Sequence, residues 1–252
     1  MMVRAEVTRV AEIASGVKKI DFEWDAKVLP GQFLMLWYPG YGEIPISISH
    51  IGNPKSITVK EYGNVSKLIC NMEKGNTIYF RGPYGNHFNP KGKKILIVGG
   101  GSGMASLHPL IGPGVYGIVA GRTSHDLVFL DEFDRDKVTV STDDGSMGVK
   151  GNALDALKLQ KLEEFTSIHV CGPEIMMFRI MEHLVGRDLN VEFSLERTMK
   201  CGIGICDSCS IDGKQLCRDG PVFHISELSL MKEFGESKLT SAGERVFTNV
   251  HT

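Results

Sequence analysis

Four of the chain's six cysteines crowd into one stretch, Cys201, Cys206, Cys209 and Cys217, spaced C-x4-C-x2-C-x7-C. The first three follow the plant-type 2Fe-2S spacing, in which thiolates grip a bridged pair of irons. Gly202 and Gly204, inside the first loop, let the backbone close around such a core so that amide N–H groups point at sulfur and offset its negative charge. Between the third and fourth cysteines, Asp212-Gly213 is a two-residue hairpin signal that folds residues 214–217 back along 208–211 and returns Cys217 to Cys209. The rival reading is a structural zinc knot, although zinc sites usually show two C-x2-C pairs and this pattern has one.

The other two thiols read differently. Cys70 follows Leu68-Ile69 as a small buried hydrophobe, while Cys171 ends an apolar run before Gly172-Pro173-Glu174 and either edges a nicotinamide site or packs into a core. Clustered thiols beside isolated ones are not a secreted disulfide framework; in a reducing compartment they more often hold metal.

The elements that position these residues change in texture along the chain. Residues 1 to about 90 hold short β-rich runs, such as 32–37 and 56–60, between Pro and Gly turns, which predicts a small antiparallel barrel. From Lys94 the apolar run Ile95-Leu96-Ile97-Val98 enters Gly99-Gly100-Gly101-Ser102-Gly103, as a buried parallel strand does before a tight turn. Apolar runs at 115–120, 138–141 and 168–171 alternate with segments of helical period at 152–165 and 174–185, which predicts a mainly parallel sheet. A last helix is expected over 226–234 with Ser226 as its cap. The domains expected are therefore 1–90, 91–195 and 196–252. With 252 residues, 42% hydrophobic content and a net charge of -2, the chain is ordinary globular material without the basic surface of a nucleic-acid binder. Its start lacks the apolar core of a signal peptide and no stretch reaches spanning length, so a soluble cytoplasmic protein is expected.

The segment Ser194-Leu195-Glu196-Arg197-Thr198-Met199-Lys200-Cys201-Gly202-Ile203-Gly204-Ile205-Cys206, with Asp219-Gly220-Pro221-Val222-Phe223 after the fourth cysteine, resembles the electron-transfer subunit of type B dihydroorotate dehydrogenase. The resemblance runs through nearly the whole chain. It implies a multi-domain protein: an antiparallel β-barrel for FAD, a ferredoxin-reductase-like α/β domain with a parallel sheet for NAD, and a small C-terminal 2Fe-2S segment. It also implies an oxidoreductase subunit in pyrimidine biosynthesis. An FMN-containing catalytic subunit would oxidise dihydroorotate, and electrons would pass through the cluster and FAD to NAD or another acceptor. No acid-base residue is then needed on this chain. By resemblance Pro45, Ile46 and Ser47 would approach the flavin, Thr58, Val59 and Lys60 would line it, and Gly63, Val65 and Ser66 would open a helix facing its diphosphate. Gly99, Gly101, Gly103, Arg122 and Cys171 would belong to the NAD side.

Several departures accompany the match. Ile44 stands where the family has an arginine, leaving Lys60 or Lys67 to replace its charge. The strand after the glycine-rich turn ends on Arg122 rather than on an acidic residue for a ribose hydroxyl. Ser106 replaces a usual proline, and Gly112-Pro113-Gly114 cuts the first nucleotide-binding helix short, so NAD binding stays open and weak NADH oxidation is expected. Ile203 and Ile205 are either contacts for the partner or local packing. Two other readings remain at this point: the flavin and cluster subunit of a cytoplasmic hydrogenase or other multisubunit reductase, and a zinc-stabilised binding module.

Overall fold

The computed structural model describes residues 1–248. Its first part is a barrel of six antiparallel strands: β1 (Val3–Ala14), β2 (Val17–Phe22), β3 (Phe33–Tyr38), β4 (Gly42–His50), β5 (Lys55–Lys60) and, after helix α1 (Asn64–Cys70), β6 (Thr77–Tyr84). The strands close in the order β1-β2-β5-β4-β3-β6. Period-two patterning is the cause: Ala5 and Val7 of β1 turn inward while Arg4 and Glu6 face water. Phe22, Leu34, Leu36, Ile48, Ile57 and Phe80 fill the interior, each at most 1% exposed. Burying a side chain of this size contributes about 1.5–3 kcal/mol. Ile69 and Cys70 of α1 pack into the same cluster, so Cys70 is the small hydrophobe its neighbours implied.

The second part is a sheet built from β7 (Ile95–Gly100), then α2 (Met104–Leu107), β8 (Val115–Gly121), β9 (Val138–Thr142), β10 (Val149–Lys150), α3 (Ala153–Lys158), β11 (Ser167–Cys171), α4 (Glu174–Leu184) and β12 (Asn190–Ser194). The strand order is β10-β9-β8-β7-β11-β12, all parallel, and a later strand, Val222–His224, adds antiparallel at the β12 edge. The chain leaves β7 toward β8 and later returns to the other side of β7 as β11. The order therefore reverses between β7 and β11, and the crevice beyond their C-terminal ends is where open α/β sheets bind ligands.

The cysteine-rich part adds β13 (Ser210–Ile211), β14 (Lys214–Gln215), β15 (Val222–His224), α5 (Ile225–Leu228), β16 (Ser237–Leu239) and β17 (Arg245–Phe247). Strand β15 lies antiparallel on β12, Phe193 opposite Phe223, so the sheet's edge comes from beyond residue 195.

Two helices differ from expectation. The helix expected over 152–165 stops at Lys158. Asn152 caps it, Oδ1 accepting from the Leu154 N–H at 2.9 Å, and Ala153, Ala156 and Leu157 face inward. Leu162 and Phe165 are buried too, but position 162 lies five residues past Leu157, about 140° round a helix. Burying both faces requires leaving the helix, and residues 162–164 form a short 3-10 turn. The helix expected over 226–234 is α5, four residues long, and His224 caps it in place of Ser226, its Nδ1 accepting from the Ser226 N–H at 3.3 Å. The spacing of buried Ile225 and Leu228 sets this single turn; the chain then bends so that Phe234 can pack against Phe178.

Candidate functional site

The loop from Cys201 to Cys206 is shaped by two left-handed glycines, Gly202 at φ +71° and Gly204 at φ +76°. A side chain at 202 would place Cβ 2.7 Å from Met35 Cγ, and one at 204 would meet Arg218 and Gln215 at 3.0 Å. This tight winding turns N–H groups inward. Those of Ile203, Ile205 and Cys206 donate to Cys201 Sγ at 3.5, 3.4 and 3.5 Å, and that of Gly204 donates to Cys217 Sγ at 3.1 Å. Partial burial opposes ionisation of Cys201, but the three donors outweigh it and bring the thiol down to about 6. The Ser208 hydroxyl and N–H lower Cys206, whereas burial and then the adjacent Cys209 push Cys217 up to about 12.

The hairpin forms where Asp212-Gly213 predicts it, with Ser210 opposite Gln215 and positive φ at both turn residues. Mutual backbone-to-carboxylate bonds between Asp212 and Glu233, at 3.0 and 2.8 Å, hold its tip. Its ladder continues as the Leu216 N–H donates to the Cys209 carbonyl, which brings Cys217 against Cys209. Cys201 likewise lies against Cys206, so the four sulfurs stand as two neighbouring pairs. Among the described residues no three His, Cys, Asp or Glu side chains are arranged around one point suited to a single metal ion. Two cysteine pairs with inward N–H donors fit a two-iron core, which these four sulfurs would hold as thiolates. Arg81 fastens the loop to the barrel, donating to the Cys201 carbonyl at 3.0 Å while paired bidentately with Glu43.

Beside the loop opens a cleft of about 690 Å³ between barrel and sheet, well within the range of cofactor sites. Pro45, Ile46, Ser47, Thr58, Lys60, Gly63, Val65 and Ser66 all line it, joined from the sheet side by Ser102 and Ala105. Ser66 Oγ accepts from the N–H groups of Tyr62 and Gly63 at 2.9 Å each, which shapes the first turn of α1. Val59 differs from its neighbours: strand alternation turns its side chain into the barrel core, and it does not line the cleft. Lys60 does not stand free as a substitute for the missing charge, because its Nζ lies 3.5 Å from Asp126 Oδ1. Lys67 is exposed and outside the cleft.

The residues expected on the NAD side do not join this wall. A Cβ on Gly99 would strike Met104, and one on Gly103 would lie 2.6 Å from Gly172 Cα, so both glycines are accounted for by packing. Gly101, at φ +52°, faces open space, and Arg122 is exposed beyond the cleft. Cys171 is 1% exposed and burial pushes its thiol up to about 12, which makes it a packed core thiol rather than a cleft edge.

Composition and spacing singled out neither the floor of the cleft nor its outer wall. Residues 194–199 form the floor. Arg197, its side chain 3% exposed, pairs with Glu174 (Nη2 to Oε1, 2.8 Å), and Glu174 Oε1 also accepts from the Gly235 N–H at 2.8 Å. Glu196 lines the cleft with its side chain still open to solvent, and the protein crowded around the carboxyl raises its pKa. The outer wall is the β16–β17 hairpin, which contributes Lys238, Leu239, Thr240 and Val246. Ser241-Ala242-Gly243 between two short β-prone runs is the turn signal that marks it. Only Lys200 separates Met199, on the cleft floor, from Cys201. The backbone between the two sites therefore spans at most about 7 Å.

The fold has solved counterparts. A NADH-dependent reduced ferredoxin-NADP oxidoreductase, described in a study of flavin-based electron bifurcation, superposes with a TM-score of 0.77 at 28% identity over 88% of each chain. The flavohem-like FAD/NAD binding domain of a Vibrio cholerae nitric oxide dioxygenase shares the fold at a TM-score of 0.67 and 17% identity, covering 75% of this chain and 96% of that one. Barrel, switch-point sheet and four-cysteine loop together define an oxidoreductase of the ferredoxin-reductase class. Residues 196–229 match the family described as the iron-sulfur cluster binding domain of dihydroorotate dehydrogenase B. Two relatives, each named a probable dihydroorotate dehydrogenase B (NAD(+)) electron transfer subunit, match along their whole length. The one from Thermoplasma acidophilum is 47% identical over 249 residues, 99% of this chain and 100% of the relative. That from Archaeoglobus fulgidus is 42% identical over 236 residues, 90% of this chain and 99% of the relative. The chain belongs to the family of dihydroorotate dehydrogenase B electron transfer subunits, which sets aside the hydrogenase-type and zinc-module readings.

Proposed function

We propose that the chain binds a 2Fe-2S cluster on Cys201, Cys206, Cys209 and Cys217 and FAD in the adjoining cleft, and relays electrons between an FMN-containing dihydroorotate dehydrogenase subunit and NAD or another acceptor in pyrimidine biosynthesis. A hydride couple moves electrons in pairs, a cluster moves them singly and a flavin does either, which is the chemistry the two groups supply when bound. The carrying observation is the adjacency of the sites: the segment that floors the cleft runs straight into Cys201, and Gly202 rests on Met35, whose register partner is Pro45 in the cleft wall.

The chain's own groups do the positioning. Pro45, Ile46, Ser47 and Thr58 present one face to the flavin ring, and Gly63, Val65 and Ser66 open toward its diphosphate. In the loop, inward N–H groups aim at Cys201 Sγ and Cys217 Sγ, and those on Cys201 favour its thiolate. We assign 1–90 to the flavin barrel, 91–195 to the nucleotide-type sheet, whose edge strand β15 comes from the next segment, and 196–252 to the cluster together with the floor and outer wall of the cleft. Residues 249–252 of the last segment lie outside the described part. Among the described residues no helix is long and apolar enough to cross a membrane, and we place the complex in the cytoplasm. Anaerobic isolation of the native complex tests the reading. An FMN-containing companion with roughly two irons and one FAD per copy of this chain is expected; a colourless, iron-free chain would refute it.

A further inference from the structure

We propose that Lys238, on the C-terminal hairpin, supplies the cation for the diphosphate of a dinucleotide bound in the cleft. The inference rests on the reading that the cleft holds a dinucleotide. Three cationic side chains reach the cleft: Lys60, Arg197 and Lys238. Lys60 is paired with Asp126, and Arg197 is held by both oxygens of Glu174. Among the described residues no carboxylate pairs with Lys238. The barrel wall adds no charge of its own where its segment begins, at Ile44. A diphosphate entering this cleft carries negative charge that the spent cations leave unbalanced, and an ammonium beside it forms charge-assisted hydrogen bonds.

The hairpin is built to hold that ammonium in place. Lys238 sits directly opposite Val246 in the β16–β17 register, and both side chains line the cleft, as cross-strand partners on one face do. At its root the Gly235 N–H donates to Glu174, and Arg245 bridges Glu233 at 2.6 Å and Ser237 Oγ at 2.8 Å. The Thr198 hydroxyl reaches the Leu239 carbonyl at 3.5 Å, which ties the hairpin to the cleft floor. Lys238 itself is exposed and no packing depends on it, so its replacement leaves the fold intact.

The diphosphate belongs to FAD or to a nicotinamide dinucleotide, and separate titrations distinguish them. FAD is added to the deflavinated, cluster-containing chain, and NADH to the flavin-loaded chain, for wild type, Lys238→Gln and Lys238→Arg, with affinity followed against ionic strength. The cluster's visible absorption reports an intact fold. Lys238→Gln is expected to weaken one dinucleotide roughly ten- to hundredfold and to flatten its salt dependence, while Lys238→Arg stays near wild type. Loss confined to FAD assigns the flavin's diphosphate, and loss confined to NADH the nicotinamide dinucleotide's. Unchanged affinity for both, or equal loss in the Gln and Arg variants, overturns the proposal. A wild-type chain that takes up no FAD defeats the flavin reading instead, and NADH titrated into that flavin-free, cluster-containing chain then decides on Lys238.

Discussion

At the scale of single residues, the cluster loop depends on what is missing from Gly202. Its φ of +71° strains any L side chain by about 1 kcal/mol, and a Cβ would stand 2.7 Å from Met35 Cγ, itself fully buried. Gly213 has a similar φ of +77° but open space around its Cβ position. Gly202→Ala should therefore lower iron per chain well below wild type while Gly213→Ala retains it, as a colorimetric iron assay on anaerobically purified protein will show; equal retention in both would sink the close-approach account. The Arg197–Glu174 pair is the second sensitive point, since loss of half-buried Glu174 leaves the buried Arg197 guanidinium uncompensated. Glu174→Gln should cost about 3 kcal/mol of unfolding free energy, measured by denaturant titration of the cluster-containing chain. A loss under about 1 kcal/mol would mean that water already satisfies the guanidinium.

Among the elements, the short helix after the glycine-rich turn has the largest functional consequence. Helix α2 has only four residues, Gly103 abuts Gly172 across the switch point, and Met176 lies 2.6 Å from a Cβ on Gly100, so the glycine-rich turn is packed closely against the end of β11 and the start of α4. We expect the isolated chain to oxidise NADH slowly; fast dye reduction at micromolar NADH in a stopped-flow assay would contradict it. This truncation was legible in Gly112-Pro113-Gly114, as were the barrel, the parallel strands and the Asp212-Gly213 hairpin, because turn chemistry and periodicity are local. Less local features escaped. The end of α3 depends on where Leu162 and Phe165 must go, α5 on the register of β15 against β12, and the inward turn of Val59 on barrel closure. Likewise Cys171 and the glycines at 99 and 103 carry the types of a nucleotide site, and only three-dimensional packing shows that they serve the core.

For the whole molecule, the order of sites fixes where a partner can meet the chain. Cys209 and Cys217 are buried, Cys206 is exposed, and Ile205 beside it is 75% exposed, with Ile203 at 47%. Cys206 is thus the cysteine nearest to solvent, and the loop meets the cleft wall through Gly202, Met35 and Pro45. An apolar side chain so exposed next to a redox edge is poorly explained by local packing, since Gly202 and Gly204 already make the inward contacts of the loop. Desolvated apolar anchors near the centre of an interface carry much of its binding energy. Ile205→Glu should therefore weaken association with the FMN-containing subunit at least about tenfold, read by analytical ultracentrifugation or by pull-down from the reconstituted pair, with iron and flavin content unchanged. The charge is chosen because it solvates well on the free chain and badly when covered, so a loss of complex without a loss of cofactors separates docking from folding. If the variant assembles as wild type does, electrons must leave the cluster by another face. The exposed Cys206 edge would then be only an open side of the loop.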